Sequence, residues 1–281
     1  MVGSVNADLT FTVPTLPRPG QTLLASAMSL SPGGKGGNQA VAAARSGANV
    51  QLVAALGTDA AADELRGHLR ANGVGLDAVI HVPGPSGSAA IIVDETAENC
   101  IVVAPGANAH LSLSSAEIRS VIADSDVVLI SLEIPLATAV AAAGVAGEAG
   151  AVVIVNASPA GIDPGELAEL ADVVVVNEIE ADGWLDGGRG RAPHLVVTRG
   201  ARGASYFHDG RAVDVPAPEV EPVDTTGAGD VFAGVLAATW PDGVEQALRR
   251  ACAAGALATL VPGAGDCGPY SEAIDDVLET S

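Results

Sequence analysis

Lysine is nearly absent from this chain: among 281 residues, Lys35 is the only one. Lys and Arg together number 13 against 34 Asp and Glu, a formal net charge of −21. So acidic a balance speaks against a nucleic-acid or anionic-membrane partner, since either requires clustered cations. Cysteine is scarce too. Cys100, Cys252 and Cys267 form neither a CxxC pattern nor a disulfide framework, and a reducing, cytoplasmic setting is expected. The first ten residues lack the basic start and apolar core of a secretory leader. The longest apolar stretch, 137–157, is rich in Ala and Gly and is interrupted by Glu148, so it reads as a helix followed by a strand rather than a membrane span. No internal repeat and no low-complexity tail is present.

Apolar residues make up 48% of the chain and charged residues 17%, enough to build a sizeable core and unlike a disordered chain. A single domain over 1–281 is expected. Short β-branched runs at 50–55, 127–130, 152–155, 173–176 and 195–198 suit strands buried on both faces of a parallel sheet. Between them, 39–46, 60–71, 115–123, 137–148, 164–170 and 244–260 read as helices. That alternation predicts a doubly wound, mostly parallel α/β sheet flanked by helices. Segments 9–25 and 88–103 break the rhythm. They are extended, and Pro14, Pro17 and Pro19 place the first at an edge or turn. The two are expected to pair as a small β-sheet lid over a site at the strand ends, though two ordinary surface hairpins would show the same pattern. The Gly-rich stretch 182–193 reads as a loop.

Three motifs carry chemistry. Asp224-Thr225-Thr226-Gly227-Ala228-Gly229-Asp230 precedes the apolar run 231–238. Glycines entering a helix leave N–H groups free to face an anion, and the helix N-terminus adds partial positive charge. Asp230 then lies in the first turn, where an ionised carboxylate can take a proton from an attacking hydroxyl. A simple capped turn fits the same residues. A second motif, Gly3-Ser4-Val5-Asn6-Ala7-Asp8, offers an amide and a carboxylate to a polyhydroxylated ligand. The third, Gly33-Gly34-Lys35-Gly36-Gly37-Asn38-Gln39-Ala40, leads glycines into a helix and offers Lys35 and Asn38 to sugar hydroxyls. Each of these also fits an Asx-turn or a cap. A GxxxxGK run followed by Ser or Thr is missing, and the first strand–helix turn has no GxGxxG, which disfavours a Walker-type NTPase and a dinucleotide-binding dehydrogenase.

Taken together, in this order and spacing, the three motifs resemble the ribokinase-like (phosphofructokinase-B type) carbohydrate kinase family, over nearly the whole chain. Ser131-Leu132-Glu133-Ile134-Pro135, Asn156-Ala157-Ser158-Pro159, Asn177-Glu178-Ile179-Glu180 and Thr198-Arg199-Gly200-Ala201-Arg202-Gly203 agree with it. The first two motifs, with Glu133, point to the ribose-phosphorylating branch rather than to fructokinases or adenosine kinases. The resemblance implies ATP-dependent phosphorylation of D-ribose at its 5-hydroxyl, with Asp230 as general base and the amides of Gly227, Ala228 and Gly229 as the anion hole. It implies sugar binding by Asn6, Asp8, Gly34, Lys35, Gly36, Gly37, Asn38 and Glu133. The nucleotide would meet Asn177, Thr198, Arg199, Gly200, Ala201, Arg202, Gly203, Gly229, Asp230 and Cys252, with Glu180 on the Mg²⁺–phosphate side. Asp224, Thr226, Ala258, Val261, Gly263 and Cys267 match the K⁺ site, and the lid sheet is expected to form a homodimer. Other readings are a kinase for another pentose, a hexose or a nucleoside, or a catalytically silent sugar- or nucleotide-binding regulator.

The sequence departs from the family at four places. Only two residues precede Gly3, so the first strand is expected to be very short or missing. Stretch 182–193 is shorter than usual on the nucleotide side. Cys252 stands where Asn or His is common near adenine. Cys267 replaces a serine at the cation site, where a hard ion prefers oxygen.

Overall fold

The computed structural model describes residues 1–96, 98–161, 165–186 and 189–280. The first part of the chain runs β1 (Asn6–Val13), β2 (Ala27–Gly33), α1 (Lys35–Arg45), β3 (Ala54–Leu56), α2 (Ala60–Ala71), β4 (Val79–His81), β5 (Gly87–Asp94), β6 (Asn99–Ala104) and α3 (Ala116–Ala123). The middle runs β7 (Val127–Ser131), α4 (Leu136–Ala149), β8 (Val152–Asn156), α5 (Leu167–Leu170), β9 (Val173–Asn177), β10 (Leu185–Asp186), β11 (Arg189–Gly190) and β12 (His194–Thr198). The last part holds β13 (Ala204–His208), β14 (Arg211–Val215), α6 (Ala228–Thr239), α7 (Val244–Ala258) and α8 (Ser271–Thr280).

The Val- and Ile-rich runs form the central sheet, in the order β14-β13-β12-β9-β8-β7. Strands β7, β8, β9 and β12 are parallel, and β13 and β14 add an antiparallel edge. Successive side chains alternate between faces. Val128 and Ile130 pack with Ala139, Ala142 and Ala146 of α4 on one face, while Leu129 packs with Phe232 and Leu236 of α6 and Leu248 of α7 on the other. Helices therefore cover both faces, as the alternating pattern predicts. Alanine lines α4 because it lets the helix lie close to a sheet already crowded with branched chains.

Beyond β7 the sheet continues through Val2, which bridges in parallel to both Ile130 and Val53. Val2 N–H donates to Leu129 (2.8 Å), and Gly3 N–H donates to Val53 (3.1 Å). The first strand is thus present and very short. From it the sheet extends one way to β7, β8 and β9 and the other way to β3 and β4. That reversal makes a crevice at the carboxyl ends of the strands, where open α/β sheets place their ligands.

A separate four-stranded sheet has the order β2-β1-β5-β6. Here the expected segments need revision. The stretch 9–25 is a strand only as far as Val13, since Pro14, Pro17 and Pro19 have no N–H to continue the ladder. The partner of β1 in the hairpin is β2, at 27–33, a short alternating run (Met28-Ser29-Leu30-Ser31) that ends at Pro32 and carries its apolar side chains on an exposed face. The stretch 88–103 becomes the β5–β6 hairpin, and β5 pairs in parallel with β1. The edge hairpin β13–β14 and the helix α8 were not foreseen either. In the 182–193 stretch the described part holds a short 3₁₀ turn (Ala181–Gly183) and the two-residue strands β10 and β11. Of the helix expected over 164–170, residue 164 lies outside the described residues and α5 covers the end. No helix among the described residues is long and apolar enough to cross a membrane.

Candidate active site

The motifs meet at the crevice because glycine lets their backbones touch. Gly34 has φ +84°, and a Cβ there would lie 2.7 Å from the Asn6 nitrogen. The loop before α1 can therefore press against Val5 and Asn6. Helix α1 has no side-chain cap from its own N-cap residue, Gly34. Glu133, just past the end of β7, supplies one: its Oε2 accepts from Lys35 N–H (3.2 Å) and from the Ser4 hydroxyl (2.6 Å). A carboxylate at a helix N-terminus is favoured by the dipole.

Asp230 lies in the first turn of α6 and is buried. Its Oδ2 accepts from Asn38 Nδ2 (3.0 Å) and its Oδ1 from Gln39 Nε2 (2.9 Å). Lys35 Nζ stands 3.9 Å from Oδ1. The Asp230 charge, opposed by burial and aided by Glu133 and Glu180, raises the Lys35 pKa, so the ammonium stays charged. Directly before Asp230, Gly227 is the N-cap of α6, with φ +80° and no side-chain cap. A Cβ there would meet Ala264 Cα at 2.8 Å. An N-terminus without a side-chain cap beside a buried carboxylate fits a phosphate next to its acceptor hydroxyl.

Asp8 sits on β1, above this crevice. Burial, then the charges of Glu133 and Asp230, push its pKa up to about 7. Its Oδ1 is buried with no hydrogen-bond partner, the condition expected of an acceptor awaiting ligand hydroxyls. Hydroxyl donors favour the ionised form, so sugar affinity is expected to fall as pH drops below 7, by roughly tenfold per pH unit at the limit. The same raised pKa works oppositely on ligand-free stability: the contribution is complete below the ordinary carboxyl pKa and is lost as pH rises through about 7. A sugar KM that stays flat between pH 6 and 8 would exclude this role for Asp8.

Beside Asp230 the crevice opens into a cleft lined by Lys35, Asn156, Ser158, Asn177, Glu180, Thr198, Gly227, Gly229 and Asp230. Asn177 and Glu180 cap each other's turn: Asn177 Oδ1 accepts from Glu180 N–H, and Glu180 Oε2 accepts from Asn177 N–H, both at 2.9 Å. Gly200, Ala201 and Arg202 form a short 3₁₀ turn, and Gly203 closes it. Arg199 pairs with Asp214 (3.1 Å) and Arg202 with Glu178 (2.5 Å), so neither guanidinium is aimed freely into the cleft. Cys252 is also misplaced by the sequence reading. It is buried in the core between α7 and the sheet, its thiol donates to the Val215 carbonyl (3.6 Å), and burial pushes its pKa up to about 12.

At the expected cation site, burial works against ionising Asp224, but the Gly263 and Thr226 donors outweigh it and hold the carboxyl below its ordinary range. Its oxygens accept from Thr226 N–H (2.9 Å) and Gly263 N–H (2.8 Å). The Ala258 carbonyl accepts from Val261 N–H (3.2 Å). Cys267 is a buried thiol, raised to about 11 by burial first and then by Asp230, and it contacts the carbonyls of Thr226 and Ala264 as a donor. A carboxylate with nearby carbonyls fits a hard monovalent ion in charge and donor type, whereas a neutral thiol acting as donor does not add a ligand.

Four contributors were given no role from sequence, although Asn156, Ser158 and Gln39 lie within quoted motifs. Asn156 ends β8, just as Asn177 ends β9 and Thr198 ends β12, so the strand-end rule could have found it. Ser158 follows it. Asn108 is buried and holds the backbone of Val5 from both sides, Oδ1 accepting from its N–H (3.0 Å). Asn108 Nδ2 also donates to Asn6 Oδ1 (2.8 Å), which turns the Asn6 NH₂ outward. Gln39 is the fourth.

The chain belongs to the pfkB family of carbohydrate kinases, whose profile matches residues 1–270. It is 33% identical over 301 residues to ribokinase of Haemophilus influenzae, covering 99% of this chain and 97% of that protein. It is 34% identical over 287 residues to ribokinase of Bacillus subtilis, covering 99% and 98%. Arabidopsis thaliana ribokinase, solved with ribose and ATP, superposes with a TM-score of 0.90 at 29% identity, covering 100% of this chain and 98% of that one.

Proposed function

We propose that this protein transfers the γ-phosphoryl group of ATP to the primary 5-hydroxyl of D-ribose, giving ribose 5-phosphate and ADP. The observation that carries this reading is the buried Asp230 carboxylate beside an α6 N-terminus without a side-chain cap, directly under the sugar-facing Asn6, Asp8 and Lys35. Asp230 takes the proton as the hydroxyl oxygen attacks the γ-phosphorus, and the bond to ADP breaks. The amides of Gly227 and Gly229 and the Lys35 ammonium stabilise the charge on the transferring group, joined by the Ala228 N–H once it leaves its 3.3 Å turn contact with the Thr225 carbonyl. With a net charge of −21, attraction of ATP must be local to these groups.

Among the described residues no cluster of three or more His, Cys, Asp or Glu side chains could hold a metal ion. Mg²⁺ would meet Glu180 beside the nucleotide phosphates and would neutralise phosphate charge there. K⁺ would be held by Asp224 and the carbonyls near Ala258, Val261 and Gly263, without help from Cys267.

The small sheet acts as a lid. Cross-strand register puts Asn6 and Asp8 on one face and Met28, Phe11, Ile92, Leu30, Leu9 and Val102 on the other. Met28, Leu30 and Val102 are exposed, and an apolar sheet face of this kind supports a homodimer through the lid. The three cysteines are free, in keeping with a cytoplasmic setting.

The test is ADP release from Mg-ATP with D-ribose, 2-deoxyribose, a hexose and a nucleoside, each with and without K⁺. Ribose is expected to give the highest kcat/KM. Turnover only with another acceptor would keep the chemistry and discard the substrate, and binding without ADP would leave a silent regulator.

A further inference from the structure

We infer that Gln39 is a positioning residue for the general base, and that it holds Asp230 through the reaction while its neighbour Asn38 lets go. This rests on the reading of Asp230 above. Asn38 and Gln39 are consecutive on α1, and each donates its amide to a different oxygen of the same carboxylate. Their surroundings differ. Asn38 keeps 7% of its surface open, whereas Gln39 is completely buried between α1 and α6. The helices approach so closely there that a Cβ on Gly234 would lie 2.4 Å from the Gln39 carbonyl. That contact locks the Gln39 backbone against α6 at Gly234, one helical turn past Asp230. The Gln39 Oε1 is buried with no hydrogen-bond partner. A glutamine is a costly choice for packing alone, because an unpartnered buried amide oxygen is unfavourable and a methionine or leucine would fill the space without it. The one bond it makes is to Asp230.

The division of labour follows from the geometry. A hydroxyl can deliver its proton only to a carboxylate oxygen free to accept it. When a sugar hydroxyl engages the Asn38 amide, Oδ2 is released and becomes the accepting atom. Gln39 cannot be drawn away by ligand, so Oδ1 stays bonded, the carboxylate keeps its rotation, and its ionised form keeps one donor. Lys35 Nζ, 3.9 Å from Oδ1, adds charge without fixing direction.

The test compares wild type with Gln39→Met, which keeps length and apolar volume and removes the donor. The expected result is a kcat lower by about 10- to 100-fold, as for other losses of alignment, with the ribose KM little changed. The split between kcat and KM is the readout, because a purely structural disturbance of α1 would displace Lys35 and Asn38 and raise the ribose KM as well. An unchanged kcat, or a ribose KM raised as much as kcat is lowered, overturns the proposal and leaves Gln39 as packing. Gln39→Glu gives an independent reading should the methionine variant fold poorly. As a neutral acid it still donates to Oδ1, and once ionised it repels Asp230, so activity is expected on the acid side and lost on the alkaline side. A wild-type-shaped profile for this variant would sink the idea. Absence of sugar-dependent ADP from wild type itself would overturn the functional reading instead, and with it this one.

Discussion

Asp230→Asn is expected to lower kcat by about 10²- to 10⁴-fold, the range typical of losing a general base, while ribose binding measured by calorimetry persists. The reason for the split is geometric. An asparagine occupies the same volume in the first turn of α6, so the helix N-terminus and the sugar-facing side chains stay where they are. What disappears is the carboxylate that, among the described residues, is both bonded to α1 side chains and set in the first turn of α6. Asp8 and Glu133 cannot replace it: Asp8 stands on the small sheet, and Glu133 is engaged by Ser4 and the α1 N-terminus. An asparagine variant turning over as fast as wild type would remove Asp230 from the mechanism.

Gly34→Ala is expected to be nearly as damaging, through position rather than chemistry. A non-glycine residue at φ +84° costs about 1–3 kcal/mol in backbone strain alone. The added Cβ would also sit 2.7 Å from the Asn6 nitrogen and 2.8 Å from Val5 Cα, both backbone atoms that no rotamer change can move aside. The loop must withdraw, taking Lys35 and Asn38 with it, and a displacement near 1 Å in such a site costs about 10²-fold in kcat/KM. Gly67→Ala is the control. It lies in α2 with no heavy atom within 4 Å of the added Cβ, and it is expected to raise stability by about 1 kcal/mol with activity intact. Equal thermal stability and equal kcat/KM for both variants would mean that the two motifs do not depend on that contact.

Much of the site was legible in the chain because its chemistry is written in short stretches. A glycine run before an apolar helix, an acid in the first helical turn and a lone lysine between glycines are local facts, and they fall at the crevice. The parallel core was legible for the same reason, since strands buried on both faces must be continuously apolar. Met28 and Leu30 of β2 alternate with Ser29 and Ser31, but over only four residues on an edge strand whose apolar face is exposed, so the run is too short to stand out from a loop. Cys252 misled because a position matched by resemblance carries no direction: the thiol turns into the core, not toward the cleft.

By itself, then, the sequence determined the alternation of strands and helices in the parallel core, the family and the short motifs that carry ionisable and amide groups, because propensity, periodicity and capping act over a few residues. Only the tertiary structure decided which groups meet. Asn38 bonds to an aspartate 192 residues away. Asn108 turns the Asn6 amide toward the crevice across 102 residues, and Val2 completes the sheet between two strands that lie far along the chain. Those pairings depend on how closely helices and sheets pack in three dimensions, and a one-dimensional pattern does not contain that distance.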